Sequence, residues 1–132
     1  MEQLSVLATR KKKSTVRLTK NSKLIKTIIN AIQQKKGENI ILIDIKEIAS
    51  FTDYFVVCNG TSDRMLNALA KGVHETISHE HKKKGRIEGE PNSGWMVLDY
   101  GDVVVHLFSP DQREFYRLEE LWQEGKVLLK VQ

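Results

Sequence analysis

Cysteine is nearly absent from this chain: Cys58 stands alone among 132 residues, which excludes an intramolecular disulfide and any cysteine-pair chemistry. Its place within the apolar run Tyr54 to Cys58 predicts a buried, inert thiol. Long hydrophobic runs are missing too. The longest, Ile40 to Ile43 and Tyr54 to Cys58, are strand-length and fall far short of the ~20 apolar residues of a membrane helix. The N-terminus has no hydrophobic segment followed by a small-residue cleavage site, so a cytoplasmic protein without membrane contact is expected. Catalytic signatures are equally scarce. The chain lacks Gly-x-x-x-x-Gly-Lys-Ser/Thr, His-Glu-x-x-His and Gly-x-Ser-x-Gly, and with them the phosphate loop, the zinc protease site and the nucleophile elbow.

What is present suits one domain, with enough length to bury a single core. The charge is uneven. Residues 1–20 hold six Lys or Arg against one Glu, a net +5, whereas the remaining 112 hold 15 basic and 16 acidic residues. Arg10, Lys11, Lys12, Lys13, Arg17 and Lys20 therefore read as a flexible basic arm over 1–20, ahead of a nearly neutral domain over 21–132. Such an arm offers at most salt-sensitive, non-specific attraction to RNA phosphate.

Periodicity supplies the elements. A helix is expected from Asn21, capped by Asn21 or Ser22, with Leu24, Ile25, Ile28, Ile29 and Ile32 on one stripe and Gly37 left-handed at its end. Ile40 to Ile45 reads as a strand buried on both faces, with Asp44 near its end, and Tyr54 to Asn59 as a second. Thr61 or Ser62 caps a long helix carrying Met65, Leu66, Leu69, Ala70, Val73 and Ile77, which stops at Lys82-Lys83-Lys84-Gly85. A weak strand at Arg86 to Glu88 precedes the hairpin of Trp95 to Asp99 and Asp102 to Phe108, turning at Tyr100-Gly101. Ser109-Pro110-Asp111 then opens a helix carrying Phe115, Leu118, Leu121 and Trp122. The fold class is α/β (α+β), a mixed sheet flanked by helices in the order α-β-β-α-β-β-β-α.

The first arm of the hairpin puts Met96, Leu98 and Tyr100 on one face and Trp95, Val97 and Asp99 on the other, and with neither face purely polar a sheet covered on at least part of each is expected. Its polar groups gather at the turn, in Asp99, Tyr100 and Asp102. Two other function classes compete for the chain. Gly60-Thr61-Ser62 before a helix can present N–H groups to a phosphate, as in a nucleotidyltransferase, but no paired carboxylates follow on an adjacent strand to hold magnesium. Asp102 and His106 are four residues apart on a strand, roughly 13 Å, too far for one metal. His74, His79 and His81 on the second helix read as surface or packing residues. A nucleic-acid binder working through the basic arm is the other alternative.

One constellation is more specific. Ser50-Phe51-Thr52-Asp53-Tyr54-Phe55-Val56-Val57, Gly60-Thr61-Ser62-Asp63-Arg64, Glu88-Gly89, Trp95, Asp99-Tyr100-Gly101-Asp102-Val103-Val104-Val105-His106 and Arg113 to Trp122 together resemble the ribosomal silencing factor S family, also called Iojap-related. The likeness runs from about Asn21 to Trp122, and departs from the family pattern at Met65 and in the basic arm. It implies a nucleotidyltransferase-like fold without the metal site, no catalysis and no cofactor. It also implies binding to the large ribosomal subunit through ribosomal protein fourteen, steric blocking of small-subunit joining under nutrient limitation, and a homodimer in the free state. Carried over by motif, the contact surface would centre on Glu88, Trp95, Asp99, Tyr100, Gly101 and Asp102, with Asp53 and Arg64 as neighbours. Burial of Trp95 and Tyr100 in the core is the competing reading, because Trp is highly buried on average.

Overall fold

The computed structural model describes residues 15–121 and 123–132, excepting the side chains of 15–20, 119 and 121. Helix α1 (Thr15–Gln34) is followed by strands β1 (Glu38–Asp44) and β2 (Tyr54–Asn59), then by helix α2 (Asp63–His81). Strands β3 (Arg86–Glu90), β4 (Trp95–Asp99) and β5 (Val103–Phe108) come next. Two short helices, α3 (Pro110–Tyr116) and α4 (Leu118–Leu121), lead to a last strand, β6 (Lys126–Val131). The sheet order is β3-β4-β5-β2-β1-β6. Only β2 and β5 pair in parallel, and their connection carries α2, β3 and β4, the long crossover that a parallel pair needs.

The two faces of this sheet are covered very differently. Against one lie α1 and α2, whose stripes of Ile25, Ile28, Ile32, Leu66, Leu69 and Val73 are fully buried on Leu42, Val56, Leu98 and Val105. Each such side chain contributes roughly 1.5–3 kcal/mol. The other face holds Ile43, Ile45, Phe55, Val57, Val104 and Phe108, and among the described residues its cover is slight: Leu118, the turn residues Ile48 and Ala49, and the rings of Phe51 and Tyr116. No long helix covers it among the described residues. That asymmetry positions the candidate site.

Several sequence expectations hold at the level of single residues. Ser62 caps α2, accepting from Met65 N at 3.0 Å, and Ser109 caps α3, accepting from Gln112 N at 3.2 Å. Asp44 ends β1. Cys58 is fully buried, and burial pushes its thiol up to about 12.

Others are corrected. Helix α1 begins at Thr15, so Asn21 and Ser22 are buried helical residues rather than caps; the apolar stripe that signalled the helix starts after its first turns. At its end Lys36 takes the left-handed conformation (φ 63°), not Gly37. The hairpin turns on Gly101-Asp102, not Tyr100-Gly101. Tyr100 N donates to Val103 O at 2.9 Å and Asp102 N to Tyr100 O at 3.2 Å, an i to i+2 bond that closes over Gly101 at its positive φ of 85°. The last helix breaks at Arg117, which is left-handed at φ 46°, and β6 was not foreseen at all. Trp122, expected on that helix, lies outside the described residues.

Candidate functional site

Strand register assembles a surface from residues far apart in sequence. Paired residues in a ladder share a face, so the sparsely covered side of the sheet carries three cross-strand rows. Glu90, Trp95, Phe108 and Asn59 form one; Glu88, Val97, His106 and Val57 form the next; Arg86, Asp99, Val104 and Phe55 form the third. Its aromatic rings touch in sequence. Phe51 lies 6.0 Å from Phe55, Phe55 meets His106 edge-on at 4.5 Å, and Trp95 stacks on Phe108 at 5.0 Å. Tyr116 lies 4.5 Å from Trp95, with Phe115 a further 5.0 Å away. Three of these rings project into solvent: Phe115 is 75% exposed, Phe51 61% and Tyr116 40%.

Trp95 is half-buried and held from behind. Its indole Nε1–H donates to His106 Nδ1 at 3.1 Å, which places the proton of a neutral imidazole on Nε2. Burial lowers the His106 pKa to about 4, and the charge of Asp99 only partly opposes this. A histidine with a depressed folded pKa binds fewer protons folded than unfolded between that value and about 6.5, so stability falls as pH drops through that window. Between pH 6.5 and 5 the loss is expected to be on the order of 1–2 kcal/mol. Urea midpoints across that range should show this slope in the native chain and a flatter profile in His106→Gln; identical profiles would refute the buried neutral imidazole.

The acidic fringe comes from β3 and the turn. Glu88 and Glu90 are exposed on the edge strand, and Arg86 reaches Glu88 at 3.2 Å and Asp99 at 3.9 Å, solvent-exposed pairs of small energetic weight. Asp99 Oδ1 accepts from Gly101 N at 2.8 Å, bracing the turn. The carbonyl of Asp102 accepts from both Asp53 N and Tyr54 N at 3.0 Å, which brings Asp53, largely buried, beside the turn.

Of the residues expected at a contact surface, Glu88, Trp95 and Asp99 share the open face, while Gly101, Asp102 and Asp53 cluster at one end of it. Tyr100 does not reach it. Its ring is 3% exposed within the helix-side core, lying so close to Gly85 that a Cβ there would fall 2.5 Å from Tyr100 Cε1. Burial pushes its hydroxyl up to about 12. Arg64 stands on the first turn of α2, beyond the far end of β2, roughly 20 Å of strand away from Asp53. Phe51, Phe55, Phe115 and Tyr116 escaped the sequence reading as site residues. The sequence places Phe115 on one helix with Leu118, Leu121 and Trp122, and the break at Arg117 ends that helix just after Tyr116.

At Gly60-Thr61-Ser62, two of the groups that a phosphate would use are engaged within the fold. Gly60 N donates to Phe108 O at 2.8 Å, and the Ser62 hydroxyl caps its own helix. Among the described residues no three His, Cys, Asp or Glu side chains gather as a metal site would require, and no helix is long and apolar enough to cross a membrane. A cavity of about 540 Å³ does exist elsewhere, beside α3 and the ends of β1 and β6. Arg113 bridges Asn39 O and Asn59 Oδ1 there, and none of the expected contact residues lines it.

A family model described as "Ribosomal silencing factor during starvation" matches residues 18–132. Proteins called ribosomal silencing factor from Halalkalibacterium halodurans and Bacillus subtilis are each 34% identical, over 80% and 77% of this chain and 90% and 86% of their own lengths. The chloroplastic Iojap protein of Zea mays is 30% identical over 73% of this chain and 42% of its own. A crystal structure of a Chromobacterium violaceum protein superposes with a TM-score of 0.72 at 33% identity, covering 76% of this chain and 84% of that one. A second, from Bacillus halodurans, gives 0.68 at 32% identity, covering 83% and 97%.

Proposed function

The chain belongs to the family of ribosomal silencing factors that act during starvation, and from that premise we propose that it docks on the large ribosomal subunit through the open aromatic face of its sheet. Its partner there is ribosomal protein fourteen, and the docked domain blocks the small subunit by occupying its place, repressing translation when nutrients are limiting. The role is steric and needs no catalytic step or cofactor.

The observation that carries this reading is the joining of exposed Phe51, Phe115 and Tyr116 to the half-buried Trp95 in one surface with an acidic edge. Contiguous exposed apolar area of this kind marks an interaction site. Rigid aromatic rings make good anchors, and carboxylates at the rim speed encounter with a basic protein. The same area is what a symmetric dimer would bury in the free protein.

Charge at the edge provides a test that spares the core. Glu88→Lys with Glu90→Lys replaces two exposed carboxylates on an edge strand, so the thermal midpoint should stay within a few degrees of the native value. Co-sedimentation with isolated large subunits should weaken roughly tenfold at low salt, with the gap closing as salt screens the rim. Undiminished binding by the folded double variant would remove the acidic edge from the contact.

A further inference from the structure

The helix layer, on the opposite side of the sheet, carries a second charged surface. From Gln3 through Gly37 the chain has ten Lys or Arg and no Asp or Glu. Four of these, Arg17, Lys20, Lys23 and Lys26, fall on α1 at three-residue steps, and Lys23 and Lys26 are exposed. The end of α2 is tied to the same place. Thr27 Oγ1 donates to Lys23 O at 3.0 Å and accepts from His81 Nε2 at 2.8 Å, so Lys82-Lys83-Lys84 leaves α2 beside the Lys23 turn of α1. Lys82 and Lys84 are exposed and Lys83 half-buried. None of the five lysines is in an ion pair among the described residues. Glu80 is the one acid in the stretch from His79 to Arg86.

We propose that this lysine cluster is an RNA contact, gripping the phosphate backbone of structured RNA without reading bases. Two features favour RNA over the other large polyanion, an anionic membrane. A membrane-surface helix exposes an apolar face beside its cations, whereas the apolar stripe of α1 is spent on the core, with Ile25, Ile28, Ile29 and Ile32 at zero exposure. The cations are also spread over the middle of one helix, the end of another and the loop that follows it, the scattered arrangement that follows a folded phosphate backbone. Lys82 adds a further sign. It holds the left-handed conformation at φ 53°, where glycine would sit without strain, so a charged side chain is present at a position whose backbone prefers none. The surface is separate from the aromatic face and does not depend on the docking reading.

The test uses the full chain and a fluorescently labelled RNA hairpin, with affinity followed by anisotropy from 50 to 200 mM salt. Engagement of the five lysines predicts a log–log slope of about −4 or steeper. A variant with Lys23→Gln, Lys26→Gln, Lys82→Gly, Lys83→Gln and Lys84→Gln should bind at least tenfold more weakly, with a slope shallower by roughly one for each lysine engaged. Lys82→Gly alone should weaken RNA binding while keeping the thermal midpoint at or above the native value, which separates lost contact from lost fold. Phe115→Ala with Tyr116→Ala should leave RNA affinity unchanged even if the docking reading fails. Native RNA affinity in the five-lysine variant would overturn the proposal. So would lysine-dependent capture by anionic lipid vesicles without binding to the hairpin.

Discussion

Tyr100→Ala should cost about 3–5 kcal/mol of stability, the range for truncating a large buried aromatic, with any loss of ribosome binding following from unfolding. The ring is enclosed by the helix-side core and Gly85. Its hydroxyl makes no hydrogen bond within the described protein, so Tyr100→Phe should be neutral or stabilising by up to about 1 kcal/mol, since a buried unsatisfied polar group is removed. Urea midpoints of the two variants decide it. A stable Tyr100→Ala that has lost only binding would return this residue to the interface.

The second large effect is expected on the open face. Phe115→Ala combined with Tyr116→Ala removes two exposed rings that do little for the core, so the fold should lose no more than about 1 kcal/mol. Large-subunit binding should fall by roughly 30-fold or more, as central aromatic anchors are each worth on the order of 2 kcal/mol. Trp95→Ala is a poorer probe. It would break the bond to His106 and the stacking on Phe108, mixing stability with contact. Comparison of the double variant and the native chain by sedimentation with large subunits, each beside its thermal midpoint, separates these effects.

Much of this arrangement was legible in the sequence, and the reasons for the rest are local. Alternation along β4 put Tyr100 with Met96 and Leu98 and Trp95 with Val97 before any fold was known. The structure keeps both groupings, burying the first under the helices and leaving the second on the open face. The parity was right, but which face carried the cover was not decidable from the hairpin alone. It depended on α1 and α2 packing on the same side. Strand β6 was missed because Lys126-Val127-Leu128-Leu129-Lys130-Val131 alternates poorly, and its pairing with β1 carries a register shift between Leu42 and Ile43. The exposure of Phe115 and Tyr116 follows from the left-handed Arg117. An arginine there gives no sequence signal of a break, as a glycine would. Arg64 was carried to the site by motif order, and motif order does not report that β2 runs away from the turn.

The measurement that bears most directly on the account is subunit joining itself. Purified small and large subunits are mixed at joining magnesium concentration after the large subunits have been incubated with the native chain or with the Phe115→Ala, Tyr116→Ala variant, and the joined fraction is read on a sucrose gradient. The native chain should travel with free large subunits and depress the joined fraction in proportion to its occupancy, while the variant should travel free and leave joining intact. Native chain bound to large subunits that still join to the full extent would contradict it.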